Sequence, residues 1–134
     1  MNRYTLPGSQ KLKSEKSVKR LFLKGKNLSR PPLSVIYLID KSSNLLHPKV
    51  AFSVSKRNFK KAVDRNLLKR RMREIYRLNK RIISGNAGTP RPGLEMMFLY
   101  TASEICNYKC IEESLIALLH KLESELTKFE EKNI

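Results

Sequence analysis

Between residues 61 and 83 the chain satisfies both its apolar and its cationic side chains only by winding into a two-faced helix. At about 100° per residue, Arg65, Lys69, Arg73, Arg77 and Lys80 fall on one arc, with Arg70 and Arg81 at its margin, while Leu68, Met72, Ile75, Leu78 and Ile82 fall on the opposite side. The apolar side can seat on a core, and the other side presents cations about 6 Å apart. Like charges at i,i+4 repel by roughly a few tenths of a kcal/mol per pair. A run of them points to a polyanion, and phosphates along a nucleic-acid backbone suit the spacing better than a folded acidic protein does.

The charge balance agrees. The net charge is +16 and the pI about 10.2. Residues 56–81 hold 12 of the 28 Lys and Arg but only 2 of the 12 Asp and Glu, whereas residues 101–134 carry 4 basic and 7 acidic side chains. Polarised charge on this scale is the footprint of nucleic-acid binding, with a membrane surface or a plain solubilising charge as competing readings. No amphipathic segment joins bulky apolar residues to lysines at a free end, which discounts a membrane surface. The 134 residues make one domain, long enough to bury roughly two thirds of the unfolded surface. Cys106 and Cys110, with His47 and His120 far off in sequence, are too few and wrongly spaced for structural zinc, so no metal site is expected. With its cysteines read as reduced, no apolar leader-like stretch and no run of transmembrane length, the protein is expected in the cytoplasm.

Taken in order, residues 1–13 read as an extended arm because Pro7-Gly8-Ser9 breaks any helix. Ser14 can cap a short helix with Glu15 in its first turn and Val18, Leu21 and Phe22 as an apolar stripe, ended by Gly25. Residues 26–32, with Pro31-Pro32, read as a stiff connection. A β-branched strand over 33–39 closes at the turn residues 40–44, and a second over 49–54 forms an antiparallel pair with it. After the basic helix, 84–93 is loop chemistry, 94–100 is a strand buried on both faces, and Ile105 to about Phe129 is an amphipathic helix, with a frayed end over 123–134. The expected fold is α+β, an α-β-β-α-β-α sandwich with a small central sheet.

The central stretch reads Val54-Ser55-Lys56-Arg57, then Ala62-Val63-Asp64-Arg65-Asn66-Leu67-Leu68-Lys69-Arg70-Arg71-Met72-Arg73-Glu74. It closely resembles the bacterial ribonuclease P protein family, whose signature is a strand ending Val-Ser-Lys-Lys and a helix reading Ala-Val-x-Arg-Asn-Arg-Ile-Lys-Arg-x-x-Arg-Glu. The likeness extends weakly over about 14–122. Leu67 stands where the family has the second Arg of its Arg-Asn-Arg triplet, and the segment between Lys56 and Ala62 is one residue longer and lacks the family's Gly.

The resemblance implies a left-handed β-α-β crossover, contrary to the general rule, and the role of protein subunit in a ribonucleoprotein endonuclease that removes the 5′ leader of precursor tRNA. It implies catalysis by an RNA subunit holding Mg2+, with no catalytic residue in the protein. The partners are then ribonuclease P RNA and precursor tRNA, with no membrane and no obligate protein partner. Lys56, Arg57, Arg65, Asn66, Lys69, Arg70 and Arg73 become the contacts to the catalytic RNA, where a charge run alone would ordinarily be a solvated face. Lys60 and Lys61 are weaker candidates. Arg71 lies in the apolar arc, so a packed stem competes with an RNA contact, and Glu74 is expected to pair with Arg70 or Arg77. Tyr37, Phe52, Phe22 and Val18 are the candidates for a cleft that takes the single-stranded leader, because unpaired bases stack on aromatic faces whatever their sequence, although aromatics on alternating strand positions are more often core. Two other readings compete: a small ribosomal-type RNA-binding protein, and a DNA-binding module with the basic helix in a major groove.

Overall fold

The computed structural model describes residues 10–12, 14–45, 47–84 and 91–132. The expectations made for residues 1–9, 13, 85–90, 133 and 134 lie outside the described residues. Ser14 opens helix α1, Glu15–Lys24, as expected: its side chain accepts a hydrogen bond from the Ser17 N–H at 3.4 Å, and Glu15 sits in the first turn. Gly25 caps the end of the helix in an extended conformation, at a place with no room for a side chain. Its N–H donates to the Leu21 carbonyl at 2.8 Å, and a Cβ there would overlap that carbonyl and stand 2.7 Å from Ile36 Cγ2.

The remaining elements are β1 (Lys26–Arg30), β2 (Leu33–Leu45), β3 (Lys49–Val54), α2 (Ala62–Asn79), α3 (Arg81–Ser84), β4 (Arg91–Tyr100) and α4 (Tyr108–Lys132). Four expectations about the sheet give way, the first that residues 91–93 belong to a loop, since they open β4. Residues 26–30 form a strand, pairing antiparallel with β2 from Lys26↔Tyr37 to Arg30↔Leu33. The turn expected at 40–44 is instead a continuation of β2 through an irregularity between Asp40 and Asn44. Finally, β2 and β3 do not pair. The sheet order is β1-β2-β4-β3, with β4 antiparallel to β2 and parallel to β3. A parallel neighbour requires a crossover, and here α2 and α3 provide it, which makes β3-α2-β4 a β-α-β unit.

The two sheet faces bury different things. Leu33, Val35, Tyr37, Leu94, Met96, Phe98, Tyr100, Val50 and Val54 face α2 and α4, where Leu68, Met72, Ile75 and Tyr76 meet Ile111, Leu115, Leu118, Leu119, Leu122 and Leu126. The other face is smaller: Met97 packs with Leu21 of α1 and Leu12, flanked by Val18, Ile36, Leu38, Ala51 and Leu99. There Arg20 Nη2 pairs with Glu95 Oε1. Gln10–Leu12 runs beside β3, with the Leu12 N–H donating to the Val50 carbonyl at 3.0 Å.

The C-terminal end is helical to Lys132 rather than frayed from 123, and Arg91 explains why. Its Nη1 donates to Glu123 Oε2 at 2.6 Å and to the Ile83 carbonyl at 2.9 Å, while Nε and Nη2 donate to Glu130 Oε1. Two of the tail's acidic residues therefore close on one guanidinium from the start of β4 and fasten the last turns of α4 to the end of α3.

Candidate nucleic-acid interface

The approach to α2 is built by Ser55 and Phe59. The Phe59 N–H donates to the Ser55 carbonyl at 3.1 Å, and the Arg57 N–H to Ser55 Oγ at 3.1 Å. The Phe59 ring is buried edge-on to Tyr100, with centroids 5.7 Å apart. One sunken side chain thus fixes a turn whose other members, Lys56, Arg57, Lys60 and Lys61, are all exposed.

Along α2 the buried residues are Leu68, Met72, Ile75 and Tyr76, the i, i+4, i+7, i+8 stripe of a helix seated on a core. Leu78, expected in that stripe, is 58% exposed, since it lies about 100° from the stripe's centre while Tyr76 lies within it. Ile82 packs on the main core, but from α3. On the outer side, Asn66, Lys69, Arg70 and Arg73 line one shallow groove together with Val63 and Leu67. The head groups of Lys56, Arg57, Lys69, Arg70 and Arg73 make no hydrogen bond or ion pair among the described residues. Nor does Glu74, so its expected pairing with Arg70 or Arg77 is absent.

Three other cations of this segment turn back to the protein. Arg65 Nη1 donates to the Phe59 carbonyl at 2.7 Å and the Lys60 carbonyl at 2.9 Å. It sits two turns before Met72, about 20° from it around the axis, at the end of the cationic arc nearest the core. Arg71 Nη1 donates to the Cys106 carbonyl at 3.2 Å, joining α2 to the approach of α4. Lys80 lies past the end of α2 and donates to Gln10 Oε1 at 3.0 Å; burial first, then the nearby Arg77 charge, lower its pKa.

The four aromatic-cleft candidates separate. Phe52 belongs to the core: its ring stacks on Phe98, with centroids 5.8 Å apart and an interplanar angle of 14°, and meets Tyr76 edge-on at 6.0 Å. Val18 and Phe22 are on α1, across the sheet, with Val18 partly buried and Phe22 54% exposed. Tyr37 is only 4% exposed, yet it borders a pocket with Leu38, Ile39, Lys24, Lys26, Glu125, Lys128, Phe129 and Lys132. That pocket lies at the β2 edge just past the last β1 pair, Lys26↔Tyr37. Leu38 lines the pocket and also packs against the Leu12, Leu21 and Met97 cluster under α1. The Tyr37 pKa is raised, by burial first and then by the Glu125 charge. Lys24, Lys26, Glu125, Lys128 and Lys132 carry no signal in the sequence, because three separate elements bring them together. Tyr76 also stands out: its buried hydroxyl has no hydrogen-bond partner among the described residues, and burial raises its pKa.

Among the described residues no helix is long and apolar enough to cross a membrane, and no three His, Cys, Asp or Glu side chains converge as metal ligands.

Comparison with known proteins is unambiguous about kinship. The family model for ribonuclease P matches residues 6–123. The ribonuclease P protein component of Porphyromonas gingivalis is 27% identical over 112 residues, covering 84% of this chain and 82% of that one. Its counterpart in Chlorobaculum tepidum is 35% identical over 104 residues, covering 72% and 68%. The fold is that of the Staphylococcus aureus RNase P protein, with a TM-score of 0.67 at 22% identity over 85% of this chain and 95% of the other. Neither the ribosomal nor the DNA-binding reading finds support in these matches, and the chain belongs to the ribonuclease P protein family.

Proposed function

We propose that this protein binds the RNA subunit of ribonuclease P through Lys56, Arg57, Asn66, Lys69, Arg70 and Arg73, and that the assembled particle removes the 5′ leader of precursor tRNA in the cytoplasm. The observation that carries the reading is the outer face of α2 and its approach, where five cationic heads find no partner among the described residues. Cations held in place by a docked helix and left without protein partners are suited to neutralise phosphates. Asn66, in the same groove, adds an amide that can donate and accept. Arg65 serves the same surface indirectly, by holding the 55–61 turn.

In this reading the RNA subunit carries the chemistry, and Mg2+ held there would supply activation of water for attack on the phosphodiester. The protein contributes binding, without an obligate protein partner. The single-stranded leader runs over the pocket at Tyr37, where lysines meet phosphates and aromatic edges meet bases, while Val18 and Phe22, on the other face of the sheet, form a separate candidate surface. Phe52 is partly buried with its ring packed against Phe98 and Tyr76, so the proposed path does not include it.

Reconstitution tests the reading. Added to a bacterial ribonuclease P RNA, the protein is expected to allow precursor tRNA processing at a magnesium concentration where the RNA alone is inactive. An unchanged magnesium requirement and unchanged precursor affinity would refute it. Within the reconstituted particle, Tyr37→Ala is expected to weaken binding of leader-bearing precursor more than of mature tRNA, and equal losses for both would remove Tyr37 from the leader path.

A further inference from the structure

The pocket at the β2 edge contains a group that a simple phosphate-binding surface would not keep. Four lysines surround it: Lys24 and Lys26 from the end of α1 and the start of β1, Lys128 and Lys132 from the last turns of α4. Leu38, Ile39 and Phe129 supply apolar wall. Its volume is about 200 Å³, space for a flat ring system rather than for a folded partner. Among these residues Glu125 is the one carboxylate. Its ion pairing is weak, with Oε1 3.8 Å from the exposed Lys128 Nζ. Glu125 and Tyr37 both line the pocket, close enough for the carboxylate's charge to help raise the phenol's pKa, after burial.

A carboxylate repels phosphate, so in a pocket that binds RNA it needs a different complement. It accepts hydrogen bonds and has two oxygens side by side. Unpaired bases present their Watson–Crick edges, and there the four bases differ. Guanine alone sets two N–H donors, N1–H and N2–H, next to one another. Adenine and cytosine place a ring-nitrogen acceptor beside their amino group, and uracil flanks its single N–H with two carbonyls. Those acceptors would face a negative oxygen. The Tyr37 hydroxyl and the lysine ammonium groups can donate to guanine O6.

We propose that this pocket selects a guanine in single-stranded RNA, with Glu125 as the residue that reads the base. The proposal rests on the leader path described above, and it adds a base preference at one leader position.

The test uses the reconstituted holoenzyme and precursor tRNAs whose leaders are all uridine except for one guanosine, moved position by position. At one position guanosine is expected to bind about tenfold more tightly than adenosine there, the discrimination typical of a bidentate base contact. Inosine at that position, which lacks the 2-amino group, loses most of the gain. The E125Q holoenzyme loses the preference for guanosine and binds the all-uridine leader more tightly than wild type, since a negative charge has left a phosphate-lined path. No favoured guanosine position in the wild type, or a preference that survives in E125Q, would overturn the assignment. If wild type still prefers leader-bearing precursor over mature tRNA in that case, the leader path stands and only the role of Glu125 falls. If that preference is also missing, both fall together.

Discussion

Arg91 and Arg73 carry the same guanidinium, and the fold treats them in opposite ways. Arg91 is enclosed by Glu123, Glu130 and the Ile83 carbonyl, whereas Arg73 stands in an open groove with no partner among the described residues. Arg65, Arg71, Lys80 and Arg20 side with Arg91; Lys56, Arg57, Lys69 and Arg70 side with Arg73. A net charge of +16 therefore contains two populations. One holds the protein together, and the other, which makes no bond among the described residues, is the population proposed to meet RNA phosphates.

The contrast can be broken from either side. Arg91→Ala should cost the most stability, about 2 kcal/mol in a denaturant titration, because a carbonyl and two carboxylates lose a shared donor; the partial exposure of Glu123 and Glu130 keeps the figure below that of a fully buried pair. The same variant should leave the salt dependence of RNA binding unchanged, and an altered dependence would move Arg91 into the second population. Arg65→Ala comes next, at about 1 kcal/mol for two hydrogen bonds to backbone carbonyls in a partly exposed site, with faster amide exchange in residues 57–61. Arg65→Lys keeps the charge without the guanidinium fork, so RNA affinity restored by lysine would argue that Arg65 acts through charge and not through the turn. Smallest in stability is Arg57→Ala with Arg70→Ala, both exposed, within about 0.5 kcal/mol of wild type. A larger loss would show that the fold does depend on them.

Part of this division was legible in the sequence. The Ser14 cap and the Gly25 stop were readable because each rests on local chemistry, and the seat of α2 was readable from Leu68, Met72 and Ile75 at helical spacing. The partners of Arg65 were not, since they lie in the preceding turn, whose shape depends on Phe59 finding Tyr100 across the fold. β1 escaped because Lys-Asn-Leu-Ser-Arg has no apolar alternation: it is an edge strand with only Leu28 packed inward. The β2–β3 hairpin was the economical pairing for strands adjacent in sequence, and it failed because β4 enters between them. The Tyr37 pocket draws on α1, β1, β2 and α4 at once, a convergence that no one-dimensional pattern records.

The central claim is that the outer cations of α2 are reserved for RNA phosphates, and salt titration of binding tests it most directly. The affinity of the protein for a ribonuclease P RNA is measured across a series of monovalent salt concentrations for wild type and for Lys69→Ala with Arg73→Ala. Each lost phosphate contact lowers the magnitude of the log–log slope by about one unit, so the double variant is expected to show a slope shallower by about two with an unchanged denaturation midpoint. Parallel lines for the two proteins would contradict the account.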